Sequence, residues 1–187
     1  QKMYLNWIKT SAYSLLQIIN DILDFSKIEA GKLDISPVKT RISPAIAEVV
    51  DLFKVTAAEK KIDLVFEDGT NEIFARADED RFKQVVTNLV NNAIKFTPNG
   101  GFVKIWAETQ PDQLVLCVED NGKGIKPEIL PTLFTTSNTT TPGTRNEKGS
   151  GLGLLLCKEL IKIHKGRIFA ESIEGQGSKF FVELPAL

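Results

Sequence analysis

Only two of the 187 residues are cysteine and one is histidine, and long apolar runs are missing altogether. Each scarcity removes a class of protein. Cys117 and Cys157 sit in the apolar stretches LVLCVED and GLLLCKEL, without metal-ligand spacing and too few for a disulfide scaffold. They read as buried, inert thiols in a reducing setting. No segment approaches the roughly 18 apolar residues that a membrane span needs. No signal peptide is visible. A cytoplasmic setting fits the two thiols, with no direct membrane contact expected from this chain. Excess positive charge is missing too: 23 Lys and Arg face 24 Asp and Glu, a formal net charge of -1. With no cationic surplus to displace counterions, a nucleic-acid partner is not expected. What remains, 42% hydrophobic and 25% charged, is the balance of a soluble globular chain. The length suits one domain plus an appendage. Gln1 falls inside what reads as a helix, as expected of a piece of a longer protein.

That helix spans 3–29. Leu5, Ala12 and Ile19 recur every seven residues, as do Ile8, Leu15 and Ile22. The alternating spacing is a heptad seam, and Leu16 and Leu23 widen it toward a four-helix bundle. Gly31 breaks the pattern. Residues 32–42 read as an edge strand interrupted by Pro37. Ser43 reads as an N-cap with Pro44 at the first helical position, opening a helix to about Glu59. Short strands are predicted at 62–66 and 74–77, and hairpins at 102–108/113–119 and 167–172/178–184. Residues 135–150, TTSNTTTPGTRNEKGS, carry no apolar side chain and read as a solvated loop. A helix follows over 151–164. From residue 32 onward the pattern is an α/β (α+β) two-layer sandwich, an antiparallel-rich sheet under helices.

Three segments carry chemistry. In RFKQVVTNLVNNAIKFTP (81–98), Phe82, Val85, Val86, Leu89, Val90, Ala93 and Ile94 form an amphipathic stripe behind the cap residue Asp78. Asn88, Asn92 and Lys95 share another face. Amide oxygens suit a hard cation and an ammonium suits phosphate, although a plain solvated face has the same spacing. Asp120-Asn121-Gly122-Lys123-Gly124-Ile125 follows a strand, offering a carboxylate acceptor and backbone without Cβ, or simply an Asx turn. Gly149-Ser150-Gly151-Leu152-Gly153 leads into a helix, where successive N–H groups can hold an anion. No GK[ST] follows, so this is not a Walker loop.

Together these segments resemble the ATP-binding catalytic domain of sensor histidine kinases, in the GHKL superfamily with its Bergerat-type fold. NLVNNAIKFTP resembles the N box, DNGKGI the G1 box, LPTLF the F box and GSGLGL the G2 box, in the family's order. QIINDILDFSKIEAGKL resembles the second helix of the dimerisation and phosphotransfer domain. The resemblance implies a partial dimerisation and histidine-phosphotransfer helix at 1–31, a catalytic ATP-binding domain at 32–187 and a homodimeric parent. It also implies a response-regulator receiver domain as partner, and ATP and Mg²⁺ as ligands. By the same resemblance Asn92 and Asn88 would ligate Mg²⁺, Lys95 would meet phosphate and Phe96 would border the nucleotide. Asp120 would accept from the adenine amine, with Gly122 and Gly124 giving the base room. Ile125 and Leu154 would form apolar walls. The backbone around Gly149, Ser150, Gly151, Leu152 and Gly153 would cradle phosphates. Residues 135–150 would be the ATP lid, with Phe134 anchoring its leading end and Lys148 and Arg145 as candidate γ-phosphate contacts. The F box departs from the family pattern, because Thr135-Thr136-Ser137 stands where further aromatics are usual.

Three readings stay open at this level. A histidine kinase domain would need an acceptor imidazole on a preceding helix, because the single His164, near the end of the last helix, suits its C-terminus instead. A gyrase-like ATPase would place a glutamate base where Asn88 stands, and an amide cannot take a proton. The third is a degenerate, non-catalytic dimerisation module, against which Asn92, Asp120 and the paired glycines speak.

Overall fold

The computed structural model describes residues 2–69, 72–135, 142–145, 147 and 151–186, the stretch 2–11 and residues 13, 14 and 17 by backbone alone. It divides into two compact units, Gln1–Asp34 and Ile35–Leu187.

The first unit is one helix, α1 (Lys2–Glu29). It stops where predicted. Gly31 takes φ +63, and the N–H groups of Gly31 and Lys32 return to the carbonyls of Ile28 and Lys27. This is the Schellman arrangement that a left-handed glycine permits. Leu15, Leu16, Ile19, Ile22 and Leu23 are all exposed, so the described part of the seam faces solvent. Leu5 and Ile8 lie outside the described side chains.

The second unit opens with β1 (Val38–Arg41), shorter than the strand expected over 32–42. It pairs antiparallel with β3 (Phe74–Ala77) as a separate two-stranded sheet. Pro37, which has no N–H to donate, stands just before the pairing begins. Helix α2 (Ile42–Glu59) starts earlier than its Ser-Pro signal suggested. Arg41 is the cap residue, and the Ser43 hydroxyl finds no partner among the described residues. Ile42 is fully buried and its N–H bonds the Ile73 carbonyl, which draws the helix start back to residue 42. Pro44 is tolerated because first-turn N–H groups have no intrahelical acceptor.

The main sheet has the order β2-β4-β5-β7-β6. Strand β2 (Asp63–Glu67) runs parallel to β4 (Phe102–Gln110), while β5 (Gln113–Asp120), β7 (Gly177–Pro185) and β6 (Arg167–Ile173) continue antiparallel. Helices α2, α3 (Glu79–Phe96) and α4 (Gly153–Ile163) pack side by side over it. Side chains alternate across a strand. Ile105, Leu116, Val118, Val182 and Leu184 form one buried set. On the other face the register lines up Trp106, Cys117, Phe181 and Phe169, with Phe169 stacked on Phe181 at 5.0 Å and Trp106 edge-on to Phe181 at 6.4 Å. That aromatic row covers Cys117, whose thiol burial pushes up to about 12. Both cysteines are buried and neither is in a disulfide, as expected. Among the described residues no helix is long and apolar enough to cross a membrane.

Candidate nucleotide site

Helix α3 supports the site, and its stripe is buried as predicted: Phe82, Val85, Val86, Leu89, Val90, Ala93 and Ile94 are each at most 2% exposed. Its start is fixed from two sides. The Asp78 carboxylate accepts from the Arg81 N–H at 3.2 Å and from the Ser36 N–H at 2.9 Å. The Asp78 N–H in turn donates to His164 Nε2 at 3.0 Å, while His164 Nδ1 lies 2.8 Å from the Leu160 carbonyl. With Nε2 accepting from that amide, Nδ1 is left to donate to the Leu160 carbonyl. His164 therefore ties the end of α4 to the start of α3. With both nitrogens engaged and 6% exposure, it is not available as a phosphoacceptor. His164→Leu strands one buried N–H and one carbonyl and is expected to cost about 2 kcal/mol, read as a lower denaturation midpoint.

Asp120 ends β5 and is 5% exposed. Burial raises its carboxyl to about 6, although the backbone N–H groups of Gly122 and Ser178 bond it and pull the other way. The Gly122 N–H donates to Oδ1 at 2.8 Å. The structure gives the two glycines a more specific reason than room for a ligand. A Cβ on Gly122 would lie 2.5 Å from the Phe96 carbonyl oxygen, and one on Gly124, at φ +65, would fall on the Ile173 carbonyl. The turn is thus pressed between the end of α3 and the β6–β7 turn. It is pinned there by Lys123 N–H to Phe96 O, Gly175 N–H to Lys123 O and Ile125 N–H to Ser172 Oγ.

Phe96 joins the two halves of the site. Its carbonyl takes the Asp120 turn, and its ring lies under two ammonium groups, Lys95 Nζ at 4.8 Å and Lys123 Nζ at 4.6 Å from the centroid. Lys95 is half-buried, and burial lowers its pKa. Glu147 opposes the shift and Lys123 adds to it. Two cations held close, one of them partly desolvated, form a place where an anion relieves repulsion.

Asn92 and Asn88 lie one and two turns earlier on α3, both half-buried. Asn88 Nδ2 is buried and finds no partner among the described residues, and Oδ1 of Asn88 is 3.1 Å from where a Cβ on Gly153 would stand. Gly153 starts α4 with no side-chain cap. The start of α4 therefore lies beside Asn88, and a helix N-terminus favours an anion. Among the described residues no cluster of His, Cys, Asp or Glu could hold a metal. A divalent ion here would have to take amide and phosphate oxygens, the donor set of Mg²⁺.

The outer residues divide. Phe134 packs edge-on against Phe180 at 6.4 Å, anchoring the F-box segment to β7. Ile125, Leu152 and Leu154 are half-buried, and Gly151 is exposed at φ +76. Lys148, Gly149 and Ser150 lie outside the described residues, as do 136–141 and 146. The described end of the expected solvated loop is docked instead. Arg145 bonds the Glu59 carbonyl at 2.8 Å and Asn99 Oδ1 at 3.2 Å, toward the end of α2. Sequence reasoning missed Lys123, Ser172, Ser178, Gly177 and Lys60. Lys123 lies inside the DNGKGI segment but nothing local gives it a role, and the other four lie outside the segments that carry chemistry.

A buried carboxylate at a strand end, an anion-seeking cation pair and an uncapped helix start, gathered along one helix, define a nucleotide-binding α/β sandwich. The sequence profile of the histidine kinase-, DNA gyrase B-, and HSP90-like ATPases matches residues 77–187. The chain belongs to that family. Within it the chain is an ATP-binding catalytic domain of the histidine kinase type. It is 38% identical over 191 residues to hybrid signal transduction histidine kinase B of Dictyostelium discoideum, covering 99% of this chain and 10% of that protein. The chain spans no more than about a third of the curated relatives it matches, 36% at most in this group. Among solved structures, the nucleotide-free catalytic domain of the histidine kinase ThkA aligns with a TM-score of 0.72 and 32% identity, over 81% of this chain and 96% of that one. ThkA in complex with the response regulator TrrA aligns over 100% of this chain and 51% of that one, with a TM-score of 0.77 and 28% identity.

Proposed function

We propose that the domain binds Mg-ATP and presents the γ-phosphoryl group to a histidine on another part of the parent protein, which passes it to an aspartate of a response-regulator receiver domain. The observation that carries the reading is Phe96, whose carbonyl holds the Asp120 turn and whose ring lies under Lys95 and Lys123. A base-recognition group and a phosphate-recognition group are thus fixed to one residue. Asp120, as carboxylate, accepts from the adenine amine, and Ile125 and Leu154 wall the base. Lys95 and the amides at the start of α4 hold phosphate oxygens, and residues 148–150 are assigned to the same cradle from the sequence alone. Asn92 and Asn88 would hold Mg²⁺, which neutralises phosphate charge when bound. Transfer breaks the bond from the γ-phosphorus to the ADP oxygen and forms one to an imidazole nitrogen. The chain's part is positioning and charge.

Asn88 supplies no base for water, which favours transfer over hydrolysis. The exposed apolar seam of α1 supports assigning residues 1–31 to a dimerising bundle of the parent, and residues 32–187 to catalysis, in the cytoplasm. Calorimetry is expected to show Mg-ADP and Mg-ATP binding without self-labelling by γ-phosphate-tagged ATP, because the only histidine is buried in structural hydrogen bonds. Rapid steady-state turnover would instead establish an ATPase, and no binding heat at all would leave a non-catalytic module.

A further inference from the structure

Lys60 is a lysine at 3% exposure, in a chain where such groups are normally on the surface. Its ammonium has four acceptors within reach: the carbonyls of Ile94 at 2.7 Å and Lys95 at 3.3 Å, Thr144 Oγ1 at 2.8 Å and Glu147 Oε1 at 3.0 Å. Two of these belong to the last turn of α3, where carbonyls lack intrahelical donors and the helix dipole is negative. The other two belong to residues 142–147. The remaining contacts of this segment serve the same docking. The Thr144 N–H bonds the Lys95 carbonyl at 3.0 Å, Thr144 Oγ1 bonds Thr97 O at 2.9 Å, and Lys123 Nζ bonds Pro142 O at 2.9 Å. A Cβ on Gly143 would meet Lys95 Cγ at 2.6 Å, so the segment lies directly against the residue assigned to phosphate.

We propose that Lys60 is a positioning residue for nucleotide binding. One buried charge fastens the end of α3, with Lys95 and Phe96, to residues 142–147, so that Lys95 and its counter-charge Glu147 are held at a fixed spacing. Lys60 touches no reacting atom and acts through Lys95. The ammonium suits this role because its three protons can be shared among acceptors from two chain segments, whereas a neutral side chain of the same length would satisfy neither. Removing it leaves the carboxylate of Glu147 without its ion-pair partner but still attracting Lys95. That attraction would draw Lys95 away from phosphate.

The inference rests on the ATP-site reading for its second half, so the test has two arms. In the first, without nucleotide, trypsin cleavage after Arg145 is timed for wild type, Lys60→Met and Glu147→Gln. Cleavage at least tenfold faster in both variants, with sites inside the sheet still protected, is the expected result. Unchanged cleavage after Arg145 would overturn the proposal, as would equal acceleration at every site, which is global loosening. In the second, the ratio of Mg-ATP to Mg-ADP affinity is measured by calorimetry. The ratio is expected to change at least fivefold in Lys60→Met while Mg-ADP affinity moves less than twofold. Glu147→Gln, on the surface segment, guards against a misfolded Lys60 variant. An unchanged ratio with intact ADP binding overturns the positioning role. If wild type binds neither nucleotide, the ATP-site reading fails while the first arm still decides the fastening.

Discussion

Asp120→Asn is expected to reduce nucleotide affinity roughly 100-fold, as the loss of a charge-assisted hydrogen bond of about 1.5–3 kcal/mol in a buried site, and at the same time to stabilise the folded chain at neutral pH. Both effects follow from burial. The carboxyl is raised from 3.8 to about 6 because the folded environment disfavours its charge. The folded chain then binds the proton more tightly than the unfolded one. Stability owed to this group is complete below about pH 4 and is lost as pH rises through about 6. The difference corresponds to about 3 kcal/mol at about 1.4 kcal/mol per unit. Asparagine offers one acceptor where the carboxylate receives the N–H groups of both Gly122 and Ser178, so a net gain nearer ~1 kcal/mol is expected. That is a rise of a few degrees in melting temperature, about 2–4 °C per kcal/mol for a chain of this size. In wild type, affinity should weaken as pH falls below about 6, because the proton competes for the oxygen that accepts from adenine. Calorimetry and thermal melts over pH 4.5–8 read both effects, and a destabilised variant that still binds would refute the assignment.

Gly124→Ala is expected to damage fold and site together. The left-handed φ of +65 alone costs an alanine about 1 kcal/mol. The new Cβ would also fall on the Ile173 carbonyl and lie 2.9 Å from the Glu174 Cα, both backbone positions that cannot swing aside as a side chain can. Relief requires the 120–125 turn to part from the β6–β7 turn, breaking Gly175 N–H to Lys123 O at 2.7 Å and Ile125 N–H to Ser172 Oγ at 2.8 Å. At about 1 kcal/mol each, and more if a buried N–H is stranded, the total is about 3–5 kcal/mol with nucleotide binding lost. Gly175→Ala is the control. It also has a left-handed φ, +81, but open space around the missing Cβ, so only about 1 kcal/mol is expected. Denaturant titrations of the two variants separate the clash from the dihedral strain.

Local repetition explains which parts could be read in advance. Seven apolar residues on α3 repeat at helical spacing, and all seven are buried; β4 and β7 alternate, and the two hairpins turn at Pro111-Asp112 and at 174–176. Asp78 stands one residue before Glu79 with its carboxylate on the Arg81 N–H, as a cap residue should. Ser43 misled because a Ser-Pro pair advertises a helix start just as well from within the first turn. What decided the matter was the burial of Ile42 against a carbonyl thirty residues away. The glycines of the Asp120 turn stand out in the sequence as room for a ligand, but the neighbours that exclude a Cβ there, Phe96 and Ile173, come from separate elements and could not be read locally. Lys60 was invisible for the same reason. A lysine in EKKID looks like any surface lysine until α3 and residues 144 and 147 enclose it.

The sheet order carries a consequence for how recognition arises during folding. Strands β4 and β5 are neighbours in the chain, as are β6 and β7, so each hairpin can close over a short loop. The β5–β7 pairing joins them at the sheet centre and has to bridge a long connection that includes α4. The Asp120 carboxylate ends one hairpin, while Ser178 and Gly177, which meet it, begin the last strand of the other. Neither hairpin alone contains the Asp120 carboxyl in its buried, proton-hungry form. That environment is created when the two are zipped together, a non-local event whose loop-closure entropy makes it late. On the proposed function, recognition of the base would then be a property of the completed sheet, absent from a chain paused before that step.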